Sequence, residues 1–585
     1  MQSTSKSPTK ALGKTPARSQ DKEADRSADG RSELVFCGLG GLGEIGMNCY
    51  LYGTGPEHAR QWLMVDLGIT FPEGEFDPGI DVILPDIRFI EEQRQTLAGI
   101  VLTHAHEDHF GALIELWPRL QVPVYATAFT AALLRAKLAE EGNRVRIDVR
   151  EIKPAARFKA GPFDLEYIAV AHSIPEPQGL LITVPEGRVL HSGDWKLDAR
   201  PSAFDPPTDE SRLKAIGDEG VTAFICDSTN AIRDGRSPSE ADVAKGLHEV
   251  IASCAGAVAV TAFSSNVARI HAVAEAAQAT GRTLVVAGRA MHRVINVALE
   301  TGHLPRSLKV LDQSQFEFIP PSRSLVLCTG SQGEERAAVA RIAAGGHPTI
   351  TLGAGDTIIF SSRTIPGNER TVGRIQNQLI ERGVKVITDA DALVHVTGHP
   401  RRDELRDMYG WVRPPIAIPM HGEARHLAAH AEIAKQMGVG QVLVARNGDI
   451  VRLAPGGARI IDEAPVGRLF RDGKLLIEAS SIAVRDRRKL AEAGIVVVSL
   501  AFDRKGAIAA EPDAILDGIP ERDADGTEMF DLVLDAAEGA LKSIPPKQRR
   551  DLGRIEEAVR RSVRSAVEHA WGKRPVVKVM ASVVG

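Results

Sequence analysis

Between Leu102 and Phe110 the chain reads LTHAHEDHF, and His104, His106, Asp108 and His109 fall within six consecutive positions. Imidazole with carboxylate is the donor mix that zinc and manganese take. An apolar run, GIVLT, precedes the cluster, and a helix is expected from about Gly111. A loop at a strand end can aim several of these side chains into one cleft, so three histidines and an aspartate there point to a metal centre. Four further polar residues close apolar runs: His172 in IAVAHS, Asp194 in VLHSGD, Asp227 in FICDST and His421 in AIPMHGE. Each alone reads equally well as a structural hydrogen-bonding residue. Together they suit two metals, because strand ends along one sheet edge are where α/β proteins build their sites.

Other motifs bear on binding. Gly38, Gly40 and Gly43 spell GxGxxG, with Asp66 about twenty residues on, the spacing of a dinucleotide fingerprint. That motif needs a helix at its third glycine, and MNCYLYGTGPEHARQWLMVDLG reads instead as strand, turn and strand. A tight turn is therefore expected, with Asp66 orienting the metal loop from behind and Glu107 facing away to brace it. Ser264, Ser265 and Asn266 in FSSN offer short donors at a strand-to-helix turn, either to a phosphate or as the cap of VARIHAVAEAAQA. His395, Thr397, His399 and the amides around Gly398 in HVTGH can bond a phosphate. Gly330, Ser331 and Gln332 form either a phosphate cradle or a plain turn.

The elements that must position these groups are α/β. With 585 residues and 43% hydrophobic content, three or four domains are expected. Residues 1–33 are too poor in apolar side chains to fold and are read as a disordered tail. Residues 34–207 and 386–465 read as two parts of one strand-rich domain, interrupted by a parallel α/β unit at 208–385 and followed by an α+β unit at 466–585. The five cysteines are scattered without a CxxC pair, so reduced thiols are expected. No long apolar run or apolar leader is present, which argues against a membrane and for the cytoplasm. A net charge of -5 gives no global attraction to nucleic acid, and 5% aromatic content implies little base stacking.

HAHEDH, AHSIPE, SGDW and PMHGE resemble the motifs of the metallo-β-lactamase superfamily, and DST, HVTGH and HGE with the inserted unit resemble its β-CASP nucleases. GLGGLGEIGMN, HEDHFGAL, FSSNVARI, TGSQGE and HVTGHPRRDEL resemble the ribonuclease J family, more loosely so in the last unit. The resemblance implies an αββα sandwich with an inserted β-CASP domain and a small α+β C-terminal domain. It implies His104, His106 and His172 on one metal, Asp108, His109 and His421 on the other, and Asp194 bridging. Zn2+ is the first expectation, with Mn2+ or Mg2+ as alternatives. Asp227 and His399 become acid/base candidates, although Asp227 reads equally as an orienter of a ligand histidine and His399 also as a phosphate contact. Ser264, Ser265, Asn266, His395, Val396, Thr397, Gly398 and His399 become contacts to RNA and its 5′ monophosphate. Ala105 and Thr397 stand where the family often has Gly and Ser; neither change removes a ligand.

The activity implied is 5′-to-3′ exonuclease and endonuclease cleavage of single-stranded RNA in mRNA decay and rRNA maturation, by a homodimer or homotetramer with possible degradosome partners. The alternatives are a hydrolase of another substrate on the same fold and a non-catalytic RNA-binding scaffold. The long insertion argues against the first, and the complete ligand set against the second.

Overall fold

The computed structural model describes residues 30–584 apart from 73, 75, 366, 546 and 547. All but the end of the expected N-terminal tail lies outside the described residues. Strand Glu33–Gly40 shows how the layers arise: Leu34 and Phe36 point to one face, Val35 and Cys37 to the other, and all four are buried. A strand covered on both faces needs that two-residue period filled with apolar side chains throughout. Leu34 and Phe36 pack with Tyr52 and Val65 against Tyr167, Leu180 and Ile225 of a second sheet. Among the described residues the first sheet has eight strands and the second seven. Helices Leu113–Leu120 and Ala128–Glu140 lie on the outer face of the first. Glu210–Glu219, Arg402–Val412 and Ala424–Gln436 cover the second. The result is the expected αββα sandwich.

Strand Ala223–Asp227 lies in the second sheet, parallel to both Gly187–His191 and Ile416–Met420. A boundary at 207/208 assigns it to the insertion, and its pairing corrects that: the insertion opens after Asp227. Its far end also shifts, because Lys385–Ile387 pairs with Thr357–Phe360 of the inserted sheet. That sheet is parallel throughout, with Val258–Thr261 between Ser324–Cys328 and Thr357–Phe360. Its carboxyl edge therefore gathers the turns after three adjacent strands, where ligands of parallel sheets bind. The break at 465/466 is not clean either, since Arg468–Asp472 pairs with Val82–Pro85 of the first domain.

In the C-terminal unit, helices Met529–Ser543 and Leu552–Trp571 cover one face of the sheet Ile508–Asp517, Ile495–Phe502, Val576–Val583. Ile555, Val559, Val563 and Val567 recur every fourth residue and make the buried stripe, which leaves Arg554, Arg561 and Arg564 in solvent.

Two buried polar knots tie the insertion to the sandwich. Lys196 Nζ lies 2.9 Å from Asp198 and 3.7 Å from Glu240, and Glu240 pairs with Arg269 at 2.9 Å. Arg269 also donates to the Ser361 hydroxyl at 2.6 Å and to the Val394 carbonyl at 3.1 Å. The Glu404 carboxylate accepts the backbone N–H groups of Leu197, Ser237 and Arg401, each at 2.9 Å. Such groups stay buried only because they are paired. Together they fix both ends of HVTGH, which has no regular secondary structure of its own.

Candidate metal centre and nucleic-acid site

The parallel strands Gln61–Val65 and Leu97–Val101 bring Asp66 and Thr103 side by side at their carboxyl ends. Asp66 Oδ1 accepts from Thr103 N at 2.8 Å, while Oδ2 accepts from the Thr103 hydroxyl at 2.8 Å and from His109 Nδ1 at 2.7 Å. Spending Nδ1 in that way leaves His109 Nε2 to face the cleft. Asp66 and His421 both hold left-handed backbone, φ 63° and 51°. Glu107 turns away and pairs with Lys137 at 2.7 Å.

His104 Nε2 and His172 Nε2 each lie 3.1 Å from His106 Nδ1. Asp194 Oδ2 is 3.9 Å from His104, 3.6 Å from His172, 3.2 Å from His109 and 3.5 Å from His421. Donor atoms of His104, His106, His172 and Asp194 fall within 4.8 Å of one another, as do those of Asp108, His109, Asp194 and His421. Asp194 thus belongs to both groups. Its other oxygen, Oδ1, is buried without a hydrogen-bond partner among the described residues. Burial opposes its ionisation, yet His109, His421 and His399 hold the carboxyl well below its ordinary range. Burial pushes His106 down to about 4 and His104 and His172 well below their ordinary value, so their rings are neutral with lone pairs to offer. Neutral imidazoles at His104, His106 and His172 beside an ionised carboxylate with a spare oxygen are the donors a divalent ion requires. At His109 burial is outweighed by Asp194, Asp108 and Asp66, which hold the ring well above its ordinary value. A divalent ion at Nε2 would take the place of that proton, so the donor set fits two ions.

Beside it, His399 Nδ1 donates to Asp227 Oδ2 at 2.8 Å, and Asp227 Oδ1 accepts from Thr229 N at 2.8 Å and the Thr229 hydroxyl at 2.7 Å. Burial alone would lower His399, but Asp227 and then Asp194 outweigh it and push the ring up to about 9. His399 is then an imidazolium at neutral pH, with Nδ1 spent on Asp227 and Nε2–H without a hydrogen-bond partner among the described residues.

Comparison with known families matches residues 42–227 to the metallo-beta-lactamase superfamily and 255–379 to the ribonuclease J beta-CASP domain. Residues 383–445 match the Zn-dependent metallo-hydrolase RNA specificity domain, and 482–584 the ribonuclease J C-terminal domain. Ribonuclease J of Sinorhizobium meliloti is 52% identical over 94% of this chain and 98% of its own length. The chain belongs to the ribonuclease J family. Family members from Mycolicibacterium smegmatis and Corynebacterium glutamicum are 38% and 37% identical over 93% of the chain, covering 96% and 75% of their own lengths. As a ribonuclease J family member with these domains, it is a metal-dependent nuclease hydrolase.

The edge loops divide into those facing the cleft and those built into the fold. The Gly398 carbonyl accepts from His172 Nδ1 at 2.7 Å, and a Cβ at Gly398 would lie 2.4 Å from that nitrogen, so only glycine fits. Thr397 Oγ1 accepts from Asn230 Nδ2 at 3.2 Å. Val396 buries its side chain in the core, leaving only its main chain for RNA. The His395 ring is held well below its ordinary value by burial, then by Arg269, Arg363 and Lys196. Asn266 caps its helix, Oδ1 accepting from Arg269 N at 2.9 Å, and its amide nitrogen lies 3.5 Å from Glu240. Its side chain thus serves the turn, while Ser264 and Ser265 stay half-buried on the edge. Gln332 spans to Arg363 O and Ile365 N, both at 2.8 Å, and so braces the neighbouring loop.

Sequence reasoning passed over Thr103, Thr229, Asn230 and Asn48. The only signal was a polar side chain at the end of an apolar run, which any capping residue gives.

Proposed function

We propose that the protein cleaves single-stranded RNA both as a 5′-to-3′ exonuclease and as an endonuclease, in mRNA decay and rRNA maturation. The observation that carries the reading is Asp194, common to the donor group of His104, His106 and His172, to that of Asp108, His109 and His421, and to a third with Asp227, His399 and His421, and 3.8 Å from His399. In this reading His104, His106 and His172 would hold one ion, Asp108, His109 and His421 would hold the other, and Asp194 would serve both. Two divalent ions held there, Zn2+ first and Mn2+ or Mg2+ as alternatives, would supply activation of water and charge compensation at the attacked phosphate. His399 gives its Nε2 proton to the departing 3′ oxygen, and Asp227 keeps that ring oriented and charged. Ser264, Ser265, His395, Thr397 and the main chain from Val396 to Gly398 receive the RNA backbone, with Asn266 shaping the turn. Their place on one carboxyl edge beside the centre supports a 5′-monophosphate pocket there.

A homodimer or homotetramer is supported by Ile515 and Met580, 60% and 58% exposed on the C-terminal sheet face away from its helices. A cytoplasmic location is supported by five free cysteines and by the lack, among the described residues, of a helix long and apolar enough to cross a membrane. Degradosome partners rest on the family resemblance alone. The test gives purified protein single-stranded RNA bearing 5′ monophosphate, triphosphate or hydroxyl ends, with Mn2+ or Zn2+ and a chelator control. Mononucleotides released from the monophosphate substrate, and none from an Asp108→Ala/His109→Ala variant, are expected. Intact RNA under every metal condition would overturn the proposal.

A further inference from the structure

The glycine-rich stretch GLGGLGEIGMN runs into strand Cys49–Gly55 rather than into the helix of a dinucleotide fingerprint, and it ends on Asn48. That residue is fully buried at the head of strand Cys49–Gly55, behind one of the two donor groups. Its Oδ1 accepts from His421 Nδ1 and from the Tyr50 hydroxyl, each at 2.8 Å. An amide oxygen only accepts, so the contact with His421 calls for the N–H at Nδ1. Its Nδ2 lies 3.0 Å from His109 Nε2 and 3.4 Å from Asp108 Oδ2. Asn48 N donates to the Asp108 carbonyl at 2.9 Å, and His421 N donates to the Gly41 carbonyl at 2.8 Å.

The same glycines make room for it. A Cβ on Gly41, φ 83°, would stand 2.2 Å from the Tyr50 hydroxyl and 2.5 Å from Asn48 Oδ1. In the other donor group His172 is held by the Gly398 carbonyl and His104 Nδ1 lies 3.0 Å from the Thr103 hydroxyl, and among the described residues no single side chain reaches all three of its unshared donors.

We propose that Asn48 is a positioning residue for the Asp108, His109 and His421 centre alone, a role that rests on the two-ion reading above. By accepting from His421 Nδ1 it fixes the tautomer that turns Nε2 inward, where that nitrogen lies 3.5 Å from Asp194 Oδ2. With His109 Nε2 engaged by an ion, the Asn48 amide N–H is left for the Asp108 carboxylate, which it orients. One side chain thereby gathers every unshared donor of one centre and none of the other.

The test counts ions. Full-length protein is stripped with chelator and titrated with Zn2+ against a chromophoric competitor, with folding checked by circular dichroism. Wild type is expected to take two ions. Asn48→Ala is expected to keep one at wild-type affinity and to bind the second about 10–100-fold more weakly. His106→Ala also keeps one, and the double variant keeps neither tightly, because the lesions fall on different centres. Tyr50→Phe, which removes only the hydroxyl anchoring Oδ1, shifts the same ion by a smaller factor and serves if Asn48→Ala does not fold. Equal weakening of both ions, no weakening, or a double variant that still holds one ion tightly overturns the inference. A wild type that takes up no Zn2+ overturns the two-ion reading instead.

Discussion

Asp227 and Gly398 show how much the site asks of single atoms. Asp227→Asn keeps the shape but removes the main charge that lifts His399 against burial. It is expected to lower kcat by about 10²–10⁴-fold, the usual worth of a positioned acid. Ion uptake should stay unchanged, which steady-state kinetics together with metal analysis will check. Gly398→Ala puts a methyl 2.4 Å from His172 Nδ1. The expected outcome is an ion at His104, His106 and His172 bound about 10–100-fold more weakly, read by chelator competition. Legibility at this scale follows chemistry. HAHEDH and the strand-end aspartates are legible because so many donors so close together have few structural uses. Asn48 and Thr103 were not, because a lone amide or hydroxyl beside an apolar strand is the commonest of structural residues, and only the fold shows what it faces. Val396 and Asn266 sit within the binding motifs, and their side chains go to the core and to the helix cap that the sequence already offered as one reading of FSSN.

At the level of elements, the site depends on how the insertion is fastened. Burial would lift the Glu240 carboxyl, but Arg269 and Lys196 outweigh it and hold it below its ordinary value of 4.5. A lowered carboxylate pKa contributes stability that is present above about pH 4.5 and lost as pH falls through the folded value. Glu240→Gln is therefore expected to cost about 3–5 kcal/mol at pH 7, the usual penalty for breaking a buried ion pair from one side. Thermal melts across pH should show the gap between wild type and variant narrowing as pH falls below about 4.5; a gap unchanged by pH would contradict this. Leu405 is fully buried on helix Arg402–Val412, beneath the end of HVTGH. Leu405→Ala should cost about 2–5 kcal/mol in denaturant unfolding. The apolar runs made the strands legible, and the interrupted sandwich followed from their order. The membership of Ala223–Asp227 did not, because its partners, Gly187–His191 and Ile416–Met420, include one nearly two hundred residues away. Parallel pairing over such distances leaves no mark on local pattern.

The two sheets and the insertion meet at the cleft, the C-terminal unit is tied on through Arg488 and Asp77 at 3.0 Å, and the net charge of -5 cannot itself attract RNA. Affinity must come from local donors on the carboxyl edges. Binding of single-stranded RNA should weaken with salt at about 0.7 in log K per log salt for each phosphate contacted, and change little with base sequence. Fluorescence anisotropy with homopolymer and mixed RNAs checks both. The uncovered face of the C-terminal sheet was not legible beforehand, since alternating apolar residues such as Ile515 and Met580 predict a covered face in any strand. The central claim is that Asp194 is shared by two ions. Anomalous scattering from crystals of the full chain grown with Zn2+ or Mn2+ tests it most directly. The account predicts two peaks about 3.5–4 Å apart on either side of Asp194, one among His104, His106 and His172 and the other among Asp108, His109 and His421. A single peak, or peaks that leave Asp194 untouched, would contradict it.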